Sequence, residues 1–173
     1  MPEMIWPFKP KMTVDHLASV FARAMEGSVQ VYQEAFDNHA AENIQHIDKS
    51  VLEAEAWIME MFLLGFVIEE IRAPVLVKSK LLPMVLVGYA PLNKEWYLSR
   101  ELFYRLRLQA KNIDERHCVL ASALIEAIHV EFKSTRESVN EQTLNWAISL
   151  VIRSSEEGIY SLLYSALTKY RIY

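Results

Sequence analysis

The stretch from Met61 to Ile68 holds eight consecutive uncharged residues, the most apolar run in the chain, and extending it backwards meets Glu60, Glu55 and Glu53. A bilayer span needs about 20 apolar residues, so the run reads as part of a buried helix and no membrane span is expected. Ser50-Val51-Leu52-Glu53 matches a capping box, in which the serine oxygen accepts a backbone N–H three residues on and the glutamate reaches back. Ala73-Pro74 disfavours helical geometry at Ala73. The helix between these signals is about 22 residues and about 33 Å long at 1.5 Å per residue. Its second half is apolar on nearly every face, so it must be surrounded by other helices or cover a partner subunit.

The flanking segments supply those neighbours. Thr13 caps a helix with Val14, Leu17, Phe21, Ala24 and Met25 at helical spacing, and Gly27 is its expected stop. A second stripe, Tyr32, Phe36, Ala40, Ile44 and Ile47, follows from Ser28. Residues 74–92 are ambiguous: Val75-Leu76-Val77 and Met84-Val85-Leu86-Val87 suit short strands, while Pro83 suits the first turn of a short helix ending near Gly88. The helical reading is preferred, because a lone hairpin is poorly stabilised in a helical chain. Asn93 or Leu92 begins the next helix, with Trp96, Leu102, Phe103, Leu106 and Ala110 expected inside and Arg100, Arg107 and Lys111 outside. Asp114 caps a helix carrying Val119, Ala123, Ile125, Glu126, His129 and Phe132. Ser138-Val139-Asn140-Glu141 is a second capping-box match, and a last helix is expected from Ser155-Glu156-Glu157 through Tyr170 to the chain end.

The pattern predicts an all-α fold, a single compact bundle of six to seven helices over residues 13–173, preceded by a proline-rich arm at 1–12. Only 4 glycines and 6 prolines among 173 residues agree with long helices and few sharp turns. The single cysteine, Cys118, excludes an intrachain disulfide and is expected to pack as a small apolar residue, with the cytoplasm as the default compartment. Three prolines break the first ten residues, so no secretory signal is expected there.

Motifs that carry chemistry are sparse. Glu126 and His129 are three apart, a spacing that puts both on one helical face, as in ferritin-like carboxylate centres. Such centres need two copies of the motif, and one is present. Glu42 and His46 are four apart and do not reproduce the second copy, and His39 precedes Glu42 in reversed order. His117 and Cys118 are adjacent, so on a helix their side chains diverge by about 100° and cannot act as a nucleophile and base pair. Neither a P-loop nor a G-x-S-x-G or G-x-G-x-x-G sequence occurs. No catalytic, cofactor-binding or metal-ligating residue is therefore assigned, and no cofactor is expected.

Charge is segregated: residues 13–70 carry net −9 and residues 71–133 net +4, within an overall −4. Arg100, Arg107 and Lys111, interleaved with Tyr97 and Tyr104, suit single-stranded nucleic acid, but Glu95, Glu101 and Glu115 intrude and the acidic helices repel phosphate, so no nucleic-acid partner is expected. The arm Ile5-Trp6-Pro7-Phe8 carries large apolar groups that need a docking place, and Tyr160, Tyr164, Tyr170 and Tyr173 mark the last helix as an interface or a core-covering rim. These features predict a non-enzymatic cytoplasmic helical protein that acts through protein-protein association as a homodimer. The alternative is a ferritin-like or other helical-bundle metal-dependent or small-ligand-binding protein using Glu126 and His129, supported by Glu34, Glu55 or Glu60. A third reading is an apolar-ligand carrier with a pocket lined by aromatics such as Trp57, Phe62, Phe66 and Trp96.

Overall fold

The Thr13 hydroxyl oxygen accepts the His16 backbone N–H at 3.0 Å, and the helix it caps, α1, runs unbroken from Val14 to Ala40. The computed structural model describes residues 9–40, 42–109, 115–133 and 137–173. The docking segment Ile5 to Phe8 and the Asp114 cap lie outside them. Gly27, the expected stop, is an interior residue of α1. Leu17, Phe21, Met25, Val29, Tyr32 and Phe36 keep one buried stripe through it, and continuous burial along 27 residues outweighs the ~1 kcal/mol that one glycine costs a helix.

α2 spans Lys49–Glu70. Its cap is Asp48 rather than Ser50: the Asp48 carboxylate accepts the Ser50 N–H at 2.9 Å, the Val51 N–H at 3.3 Å and the Ser50 hydroxyl at 2.7 Å. The Ser50 N–H, which the capping-box reading assigned to Glu53, thus goes to a carboxylate two residues upstream. Residues 55–64 are buried without interruption, as a helix apolar on every face requires, and α2 meets each of the other five helices. At its end Arg72 turns left-handed (φ 55°) and the Ala73 N–H bonds back to the Ile68 carbonyl at 3.2 Å, a cap that closes the last turn before Pro74.

α3 is Val75–Gly88, a helix of 14 residues with Pro83 in its interior rather than its first turn. Pro83 and Ser79, whose carbonyl loses its helical donor, both face solvent, so water satisfies the freed group. Val77, Leu81 and Val85 are buried on the opposite side. α4, Lys94–Gln109, is capped by Asn93, whose side-chain oxygen accepts from Glu95 at 2.8 Å and Trp96 at 3.2 Å. α5 covers Arg116–Ala127, and α6 runs without a break from Glu137 to Lys169. The start expected at Ser155 is absent, because Ile148, Ile152, Ile159 and Leu163 keep their helical spacing across it.

Among the described residues the fold is all-α with six helices, and their buried side chains form one hydrophobic cluster. Two short strand pairs tie it together. β1 (Lys11–Met12) runs parallel to β4 (Arg171–Ile172), joining the two ends of the chain, and β2 (Ile44–His46) pairs antiparallel with β3 (Glu131–Phe132). Ile44, Phe132 and the residues after Lys169 are therefore not helical, contrary to expectation.

Candidate functional site

Two residues of the candidate metal motif do not share a helical face. α5 ends at Ala127, and His129 adopts φ 50° beyond it, a left-handed cap conformation. Glu126 instead pairs with Arg107 at 2.5 Å on the surface. His46 lies on β2, so Glu42 and His46 are not one helical turn apart, and the His39 ring lies 3.2 Å from the Ala35 carbonyl. Glu34 is exposed. Among the described residues no group of three or more His, Cys, Asp or Glu side chains is placed to hold a metal ion.

α4 is rotated by roughly half a turn from the expected orientation. Tyr97 and Tyr104, seven residues apart, face the core and are 2 % and 0 % exposed. The Tyr104 hydroxyl donates to Glu55 Oε2 at 2.7 Å, and Arg100 Nε lies 2.6 Å from Glu55 Oε1. The Arg100 guanidinium also stacks 4.4 Å from the Phe103 ring centroid. Burial and the adjacent Glu55 charge hold the Tyr104 phenol well above its ordinary range. Glu55 explains the rotation: an ionised carboxylate buried without a partner costs several kcal/mol, more than partial exposure of a few leucines. The consequence is an outward stripe of Leu98, Leu102 and Leu106, 50 %, 55 % and 56 % exposed.

A second charged cluster joins α5 to α6. Arg116 donates from Nε to Glu156 Oε2 and from Nη2 to Oε1, and His117 Nε2 lies 2.7 Å from the same Oε2. Arg116 also lies over the Phe66 ring at 4.9 Å. Cys118 is exposed rather than packed as an apolar residue, beside the His117 that turns towards Glu156. On α6 the Tyr160 and Tyr164 rings stack at 6.3 Å and both stay exposed, consistent with phenols at a rim.

Glu60 has no such partners. It projects from α2 between α1 and α6, is 0 % exposed, and neither carboxylate oxygen has a hydrogen-bond partner. The Ser155, Ser28 and Tyr32 hydroxyls face it without reaching hydrogen-bond geometry, and the Tyr32 oxygen is itself unpartnered. Burial pushes its carboxyl from 4.5 up to about 7, against the opposing pull of those hydroxyls. Burial and the neighbouring Glu60 likewise raise the Tyr32 phenol well above its usual range. Glu60 is among the residues around a cavity of about 320 Å³ between α1 and α6, walled by Met25, Val31, Val151, Ile159 and Leu162. Ala24, Val31, Ser154 and Gly158 at the cavity edge are exposed, so it opens to the surface where small residues of the two helices face each other.

The aromatics singled out for a ligand pocket serve elsewhere. Phe62 packs 6.1 Å from Tyr104, Trp96 is partly exposed on α4, and Trp57 lines a separate cavity of about 420 Å³ with Arg23, Glu26 and Tyr89. The sequence signal for the Glu60 chamber was a carboxylate between Met59 and Met61 at the edge of the apolar run. The arrangement is that of an all-α bundle with an outward leucine stripe and an internal carboxylate. No family model, curated protein or solved structure matches the chain.

Proposed function

We propose that the protein acts by self-association rather than catalysis, with α4 of one copy packing antiparallel on α4 of a second. The observation that carries this reading is the stripe Leu98, Leu102, Leu106, which repeats every four residues on the side of α4 opposite Tyr97 and Tyr104. A two-fold axis at Leu102 sets Leu98 of each copy against Leu106 of the other. The same register sets Glu95 opposite Gln109 and Arg105 opposite Ser99 of the other copy, so no like charges face each other along the stripe. Few other residues of α4 are apolar and outward, and a face that covers no core gains from burial only by meeting another surface. The reducing cytoplasm is the proposed setting, because the lone thiol of Cys118 is exposed and would be open to oxidation elsewhere.

Sedimentation equilibrium tests this reading. The wild type is expected to dimerise at micromolar concentration, and Leu102→Glu, which sets two carboxylates face to face on the axis, to be monomeric with an unchanged helical circular dichroism spectrum. A wild type that stays monomeric at high micromolar concentration, or a Leu102→Glu variant that still dimerises, overturns it.

A further inference from the structure

We propose that the chamber between α1 and α6 is a binding site for a small amphiphilic cation, a compact apolar chain ending in a primary ammonium that sits on Glu60. The proposal is independent of self-association, since the chamber is lined by α1, α2 and α6 and the leucine stripe lies on α4.

A fully buried carboxylate with two unpartnered oxygens is rare in folded proteins, because each such group forfeits hydration without replacement. Glu55, on the same helix, is given an arginine and a phenol; Glu60 is given a cavity. The opening of about 320 Å³ corresponds to about ten water volumes, at the small end of ligand pockets. Its walls are aliphatic, so they suit an apolar chain. Its polar end is Glu60 with the Ser28, Ser154 and Ser155 hydroxyls, and since hydroxyls donate as well as accept, the carboxylate is the group there that calls for a cation. An ammonium brings three donors and no acceptor, and so complements that end.

Charge supports the same choice. Glu60 is the one charged side chain in the lining, and the segment that supplies α1 and α2 carries net −9 over residues 13–70, a field that draws cations inward and repels carboxylates and phosphates. Of the elements packed against Glu60, α1 presents Tyr32 as a titratable group, and α6 presents serines. Glu156, next to Ser155, is turned to Arg116 and His117 instead. Tyr104 on α4 acts on Tyr32 rather than on Glu60.

Binding has a proton balance. With its carboxyl near 7, Glu60 is largely protonated in mildly acid solution. An alkylammonium, which like lysine keeps its proton to about pH 10, then enters as RNH3+ and displaces the carboxyl proton to solvent, leaving the ion pair. Affinity therefore climbs by up to about tenfold per pH unit below 7 and levels off above it.

The test uses n-octylammonium, n-octanol and octanoate as probes, with isothermal titration of the full chain at pH 8 and repeated at pH 6. Octylammonium is expected to bind saturably, at least tenfold more tightly than octanol and about tenfold more weakly at pH 6 than at pH 8, while octanoate does not bind. Glu60→Gln is expected to bring octylammonium down to the affinity of octanol. Gly158→Leu, whose side chain grows into a space where an added Cβ meets no atom within 4 Å, is expected to weaken both probes by filling the mouth. Circular dichroism confirms that each variant folds, and the Gly158→Leu arm and the octanoate comparison stand if Glu60→Gln does not. Equal affinity for octylammonium and octanol, binding of octanoate, no saturable binding of any probe, or undiminished binding to folded Gly158→Leu overturns the assignment.

Discussion

Glu55 and Glu60 are both buried on α2, 2 % and 0 % exposed, and five residues apart. Five residues turn a helix by about 140°, so the first looks towards α4 and the second into the gap between α1 and α6. α4 rotates to bring Arg100 and Tyr104 to Glu55 and leaves three leucines outward in consequence. α1 and α6 bring Glu60 hydroxyls and small residues, with no cation. A buried charge can thus be satisfied by reorienting a whole helix, or it can be left unpaired with its carboxyl raised towards neutrality and a cavity beside it. The first arrangement makes a structural joint. The second leaves a group free to meet something from outside.

The largest expected effect comes from breaking the joint. Arg100→Leu strands Glu55 in the core beside a lone phenol, and removing one partner of a buried pair costs about 3–5 kcal/mol. Urea denaturation followed by circular dichroism should show that loss, and Glu55→Gln in the same background should recover most of it. A cost below about 1 kcal/mol, in the range of exposed ion pairs, would mean that Glu55 does not set the orientation of α4.

The counterpart at Glu60 is stabilising and depends on pH. Its folded-state carboxyl is raised from 4.5 to about 7, so the native protein holds a proton that the unfolded chain has released across that window. Stability therefore falls as pH rises from 4.5 through 7 and is lowest above it. Glu60→Gln removes the penalty, and is expected to stabilise the protein by about 3 kcal/mol at pH 8, shrinking to under about 1 kcal/mol at pH 5. Denaturation of both proteins at the two pH values measures it. A difference that does not change with pH would show that Glu60 is not the group that titrates.

That contrast also marks how far the sequence could be read. The long α2 and its end before Pro74 were legible, because an eight-residue apolar run within 22 helical residues and a proline act locally. Gly27 and Ser155 were misread as boundaries, since both are weak local signals inside helices held by long-range burial of Phe21, Met25, Ile152 and Ile159. The orientation of α4 was inverted for a different reason. Its apolar residues occupy both sides, and the choice between them depends on Glu55, which lies elsewhere in the chain. The strand pairs β1–β4 and β2–β3 join residues far apart in sequence and are two or three residues long, too short to show a period. For the chamber, Glu60 itself stood out, but the facing Ser28 and Ser155 could be placed beside it only once α1 and α6 were known to be continuous.

The smallest expected effect separates the chamber's mouth from its carboxylate. Gly158 lies inside α6 at the exposed edge, and an added Cβ there meets no atom within 4 Å. Gly158→Ala keeps the helix and lowers the backbone entropy lost on folding, so a gain of about 0.5–1 kcal/mol is expected. One methyl narrows the opening without reaching the floor, where Ser155 and Ile159 are buried with Glu60. The gain should therefore be equal at pH 5 and pH 8, measured by the same denaturation series as for Glu60→Gln. A gain at pH 5 that disappears at pH 8 would mean that water reaching through the mouth stabilises the ionised carboxylate. Glu60 would then differ from Glu55 by its access to solvent rather than by the absence of a cation within the fold.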